Sequence, residues 1–168
     1  KHQDLISNSS QEMVNCLQFG SPEPDYVNNY FGVRTATFLD DLLITGCHDG
    51  IVHILRMDTF EEIISFIDSI DAVTSLASLE DKSYFASGSG DGGIRLYSVE
   101  KKDDNEYDYT LVTSKTAFTT PITSLIFTNS FLFSTSQTGV KFFSIPSLEE
   151  ISYYQTTEPI LSSTYIEK

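Results

Sequence analysis

Cys47, His48, Asp49 and His53 have the chemistry of metal ligands and lie close together in this sequence. On an extended chain, His48 and His53 differ by an odd number of residues, so their side chains leave opposite faces. No second ligand pair stands at zinc spacing. The expected reading is a turn aspartate with exposed histidines and no metal. The run Gly88–Gly93 (GSGDGG) resembles a phosphate cradle. Such a cradle needs a helix N-terminus behind it. The residues that follow alternate like a strand, and no Lys stands at the P-loop position, so a hairpin turn is expected. Nucleophilic catalysis needs a Ser or Cys beside a base. No Gly-x-Ser-x-Gly elbow occurs, and the histidines are only His2, His48 and His53. The pairs Asp40/Asp41, Glu61/Glu62 and Glu149/Glu150 read as solvated turns, because adjacency does not set two carboxyls across a cleft. These residues predict no enzyme and no cofactor.

The elements that hold them are one pattern written three times: ITGCHDGIVHILRMD at Ile44–Asp58, ASGSGDGGIRLYSVE at Ala86–Glu100 and FSTSQTGVKFFSIPS at Phe133–Ser147. Each is a short apolar run ending in a hydroxyl residue, then a glycine turn, then an alternating run. The hydroxyls Thr45, Ser87 and Ser134 recur at steps of 42 and 47 residues. A period in that range, built of strand signals, points to stacked β-sheet units. The central copy reads as strands Ala72–Leu79, Tyr84–Ser87, Ile94–Val99 and Tyr107–Thr113, with a polar turn at Glu80-Asp81-Lys82 and a charged loop at Glu100–Glu106. The first copy reads Val33–Leu39, Leu42–Gly46, Ile51–Arg56 and Glu62–Ile67. The third reads Ile122–Phe127, Phe131–Ser134, Val140–Ser144 and Glu150–Tyr154. Phe60–Ile70 has some helical spacing, but the repeat favours an outer strand.

Residues 1–32 complete no copy and are expected to be a partial blade or N-terminal extension, with a strand at Met13–Phe19. The units fall at about 33–71, 72–120 and 121–158. Pro159–Ser163 echoes Pro121–Leu125, so a further unit is expected to start over 159–168. The first residue is not Met, which reads as a trimmed piece or part of something longer.

The 168 residues carry 24 Asp+Glu against 10 Lys+Arg, a formal charge of −14. That field repels nucleic acid and anionic lipid, which need clustered cations. It suits solubility, or a docking face for a basic partner. Two widely spaced cysteines, Cys16 and Cys47, read as free thiols and not a disulfide scaffold. No apolar run approaches the ~18 residues of a membrane span. The start, Lys1-His2-Gln3-Asp4, does not read as a signal peptide. An intracellular protein, cytoplasmic or nuclear, is expected, with no membrane insertion and no sign of a homo-oligomer.

The hydroxyl-Gly-x-x-Asp-Gly step before an alternating strand, Ser87–Ser98 above all and then Thr45–Gly50, resembles the WD-repeat family of β-propellers. The resemblance runs from about Val33 to Tyr165. Ser134–Gly139 departs from it, with Thr138 where the Asp would stand. The family's Trp position holds Leu55, Tyr97 and Phe143, and its Gly-His pair is absent. In the family, that His, the turn Asp, the strand hydroxyl and the Trp form a hydrogen-bonded set. By resemblance, Thr45/Asp49 and Ser87/Asp91 are the structural remnants of it here. The resemblance implies an all-β fold of β-propeller blades, each a four-stranded antiparallel sheet, in a ring of about seven. It also implies a non-catalytic scaffold that binds other protein subunits or peptides in a complex. The alternative is a propeller with a small-ligand, phosphopeptide or lipid-binding face. Partner-facing loops are expected at Asp40, Asp41, Glu80, Asp81, Lys82, Asp103 and Asp104, with Phe118–Thr120 also lining a face. The lengthened stretch 101–108 is a surface loop or a docking protrusion.

Overall fold

The computed structural model describes residues 32–103, 106–128 and 130–164. Three meanders of four antiparallel strands account for them. The first holds β1 (Val33–Leu39), β2 (Leu42–Cys47), β3 (Ile51–Arg56) and β4 (Glu62–Ile67). The second holds β5 (Val73–Leu79), β6 (Tyr84–Ser89), β7 (Gly93–Asp103) and β8 (Glu106–Thr116). The third holds β9 (Ile122–Phe127), β10 (Phe131–Ser136), β11 (Gly139–Ser144) and β12 (Glu150–Gln155). These are propeller blades. The expected strand at Met13–Phe19, Cys16 and Asp104 lie outside the described residues.

The blades stack through their first strands, β1 beside β5 and β5 beside β9. Hydroxyls join these inner strands. Leu76 N donates to Thr35 Oγ1 at 3.1 Å, and Leu125 N donates to Ser75 Oγ at 2.9 Å. Ser163 Oγ lies 2.8 Å from Ser124 Oγ, at the matching place on β9. The chain after the third blade thus returns to the inner side. Each inner strand carries one extra residue against its neighbour, Arg34, Thr74 and Thr123 in turn. Each outer strand does the same at Ile63, Val112 and Ile151. A bulge increases local twist, so six bulges at equivalent places give three blades of one shape.

Period-2 alternation supplies each sheet with two apolar faces. One seam buries Ile44, Val52 and Ile54 of the first blade against Leu76, Phe85 and Tyr97 of the second. The next buries Ala86, Ile94 and Leu96 against Leu125, Leu132 and Phe143. Aromatic contacts close the outer part of the first seam. Phe66 of the first blade stacks on Tyr109 of the second at 4.6 Å and meets Tyr97 at 5.2 Å.

One expectation is corrected. Glu100–Glu106 is not a loop. β7 continues to Asp103 and β8 begins at Glu106, so both strands run 11 residues. The alternation continues past Val99 because Tyr107 and Tyr109 pack against the first blade's core. The lengthened stretch is therefore a hairpin extension, not a slack insertion.

Candidate functional site

The connection from β4 to β5 brings an acid to the seam of the first two blades. Asp68 N and Ser69 N both donate to Gly50 O, at 2.9 and 3.2 Å, which fixes the connection on the β2–β3 turn. Gly50 sits at φ 82°, where only glycine is unstrained. From there Asp68 reaches into the second blade. Its Oδ1 accepts from Ser87 Oγ and from Tyr97 OH, both at 2.7 Å. Arg95 Nη1 stands 3.6 Å from Asp68 Oδ2, and Arg95 Nη2 stands 3.0 Å from Asp91 Oδ2.

The remnant pair Ser87/Asp91 is thus not a pair. Ser87 serves Asp68, while Asp91 orders its own turn, accepting from Gly93 N at 2.7 Å and from the Ser89 hydroxyl. Asp49 does the same for the first blade, accepting from Ile51 N at 3.1 Å. Thr45 Oγ1 is buried with no hydrogen-bond partner among the described residues, as is Ser134 Oγ in the third blade. The position matching Asp68 there is Ala117, whose N donates to Gly92 O, and Phe143 replaces Tyr97. Asp68 was missed in the sequence, yet Tyr97 carried the signal. A hydroxyl in the Trp place needs a buried acceptor, and the connection after β4 offers one.

Burial raises the Asp68 carboxyl above its ordinary value, outweighing Ser87, Tyr97 and Arg95, which favour the charged form. Asp91 shifts the other way. Burial opposes its charge, but Ser89, Gly93 and Arg95 together hold its carboxyl below the ordinary value.

His53 is buried, which corrects the expectation that both histidines are exposed. Its Nδ1 lies 2.7 Å from Glu62 Oε2. Lys141 and Glu150 repeat that cross-strand pair in the third blade at 2.8 Å. Glu62 and Glu150 therefore stand in paired strands, not solvated turns. In the second blade Leu111 occupies the acid's place, and Arg95 turns to Asp68 and Asp91. His48 is exposed in the β2–β3 turn and Cys47 is buried. Burial, then the Asp49 charge, push the Cys47 thiol up to about 12.

Asp40, Asp41, Glu80, Asp81 and Lys82 are exposed and gather at one end of the blades. Met57 N donates to Asp41 O, and Val99 N donates to Ser83 O, which places the neighbouring turns at that end. Asp103 is the last residue of β7. Phe118 lies at the opposite end, itself mostly buried, where it and the exposed Thr119 line a shallow pocket with Thr138, Lys141 and Tyr153. Across the seam, Asp41 Oδ2 accepts from Lys101 Nζ at 2.9 Å and from Tyr107 OH at 2.6 Å. The hairpin extension is thereby tied to the first blade.

Among the described residues no helix is long and apolar enough to cross a membrane. No curated protein matches the chain. Solved structures share its fold. A chain of the "Crystal Structure of Mitotic Checkpoint Complex" matches with a TM-score of 0.66 at 14% identity, over 80% of this chain and 42% of that one. "Crystal structure of RRP9 WD40 repeats" matches with a TM-score of 0.64 at 13% identity, over 79% and 41%. The computationally designed Ika4 protein matches with a TM-score of 0.68 at 15% identity, over 88% of both. The chain thus spans less than half the length of the first two of these structures' chains. The Vps41 β-propeller family model, described as "Vps42 beta-propeller", matches residues 30–120. That stretch is more than half of the sequence and holds the whole Asp68 network, so the chain belongs to this family of WD-repeat-like β-propellers.

Proposed function

We propose that this chain is a non-catalytic propeller segment that holds other proteins together as a subunit of a larger complex. The observation that carries this reading is the use of the inner strands. A ligand site in a propeller channel would be built on them. Here Thr35 and Ser75 accept from the backbone of the next blade, and Thr37 Oγ1 lies 3.0 Å from Ser78 Oγ. These hydroxyls are committed to joining blades, while the acids and open apolar groups sit at the blade ends and edges. The Mitotic Checkpoint Complex neighbour is by its name part of an assembly, which supports the same role here.

The ring extends beyond three blades in this reading, to about seven. Phe133, Val140 and Phe142 on the far side of the third blade are half-buried. Their counterparts Ala86, Ile94 and Leu96 are at most 1% exposed under the next blade. A following blade completes that burial. The compartment is intracellular, cytoplasmic or nuclear.

Native mass spectrometry of the intact protein, purified from its own source in mild salt, tests the reading. Stoichiometric protein companions are expected. A lone chain of full-ring mass carrying a bound small molecule would overturn it in favour of a ligand-binding propeller.

A further inference from the structure

The hairpin extension does more than lengthen a blade. It walls a cleft of about 270 Å³ between the first two blades. The floor is apolar: Leu39 and Leu42 come from the first blade and Val99 from the second, all buried. Lys101 and Tyr107 form the wall, with Asp40, Asp41 and Ser83 at the rim. β3–β4 and β11–β12 have no such extension, since β4 and β12 are 6 residues each.

The charge around this cleft is net acidic, with Lys82 exposed beside Ser83 and the Arg56 guanidinium 5.7 Å from the Tyr107 ring as its cations besides Lys101. Lys101 is neutralised by Asp41. The exposed carboxylates of Asp40, Glu80 and Asp81 enter no ion pair among the described residues. Asp58 and Glu61, on the adjoining β3–β4 turn, add to the same end. An apolar floor under an acidic rim fits a ligand with an aliphatic side chain flanked by cations.

We propose that this inter-blade cleft docks a basic peptide segment of a partner protein, with one aliphatic residue seated above Val99 against the half-buried Tyr107 ring and the Lys101 stem. This rests on the protein-interaction reading above and names the chemistry of the partner. The extension supplies the wall, so the lengthened β7–β8 hairpin is the specificity device of this blade pair. Cation contacts at the exposed rim give steering and salt sensitivity, while the apolar seat gives residence.

The test is fluorescence anisotropy with the intact protein and a labelled acetyl-Lys-Arg-Leu-Leu-Lys-Arg amide. Saturable binding is expected. Replacing both leucines of the probe by serine should weaken it at least tenfold. The triple variant Asp40→Asn/Glu80→Gln/Asp81→Asn should weaken it at least tenfold as well. These positions are exposed, and Asn tolerates the left-handed backbone of Asp40, at φ 51°. The variant Asp49→Asn/Glu158→Gln, at the opposite end, should bind as the parent does. The proposal is overturned by absence of saturable binding, by indifference to the leucines, or by equal losses in both variants, which would mean charge attraction alone. If it falls while native mass spectrometry finds stoichiometric companions, the interaction reading stands and only the cleft is wrong.

Discussion

Asp68 Oδ1 and the Tyr97 hydroxyl stand 2.7 Å apart across the seam of two blades, and the same oxygen accepts from Ser87. One carboxylate on a connecting segment therefore joins two strands of the following blade. Burial raises the cost of any group in this set that loses its partner.

Removing the acceptor should cost more than neutralising it. Asp68→Ala strands Ser87 Oγ, Tyr97 OH and one side of Arg95, and should destabilise the intact protein by about 2–4 kcal/mol. Asp68→Asn keeps an acceptor oxygen for both hydroxyls and should cost less than about 1.5 kcal/mol. Chemical denaturation of the two variants checks this. Equal losses would mean the charge, not the hydrogen bonds, holds the seam.

Acid should act on the two aspartates with opposite signs. The folded Asp68 carboxyl lies above its ordinary value of 3.8, so the folded state binds its proton first. Its contribution to stability falls as pH rises from 3.8 through the folded value. The folded Asp91 carboxyl lies below 3.8, so its contribution is present above 3.8 and is lost as pH falls through the folded value. Melting curves between pH 7 and pH 2.5 should show Asp91→Asn flattening the acid limb. Asp68→Asn should gain on the parent as pH rises above 3.8. Parallel curves for all three proteins would remove both claims.

The strand order was legible because each blade repeats one alternation with a glycine turn, and twelve strands fall where that pattern puts them. The bulges at Arg34 and Val112 were not legible, since one added residue in a hydroxyl-rich or apolar strand leaves no compositional trace. The extension past Val99 was hidden by its charges: KKDDNE reads as a loop until Lys101 is seen to pair with Asp41. Ser87 and Asp91 were read as one hydroxyl-and-aspartate set, but Ser87 bonds Asp68 instead, whose role is set by register across two blades. Sequence spacing within one repeat does not contain that distance.

Gly92 should resist substitution. It sits at φ 77°, its carbonyl accepts from Ala117 N and Phe118 N, and an added Cβ would lie 2.0 Å from Phe118 O. Backbone cannot swing aside as a side chain can. Gly92→Ala should therefore destabilise by about 2–4 kcal/mol, combining left-handed strain with displacement of the β8–β9 connection. The nearby Gly90 is the comparison: the nearest atoms its Cβ would meet belong to the Asp71 carboxylate, a side chain that can shift at the cost of its hydrogen bond from Ala72 N. Gly90→Ala should cost distinctly less in the same denaturation assay.

Cys47 should report the integrity of the first blade. Its side chain is fully buried on β2, and its thiol is pushed up to about 12. The thiolate is the reactive form, so at pH 8 both access and ionisation oppose alkylation. Iodoacetamide, followed by mass spectrometry of the peptide containing Cys47, should find this site unmodified in the folded protein and modified after denaturation. Raising the pH to 9 without unfolding should change little, because the barrier is burial before it is charge. Asp49→Asn removes only the secondary cause of the shift and should leave the protection in place. Fast modification at pH 8 in the folded parent would mean that the β2–β3 edge opens locally, and the seam that Gly50 and Asp68 close would have to be weaker than their hydrogen bonds imply.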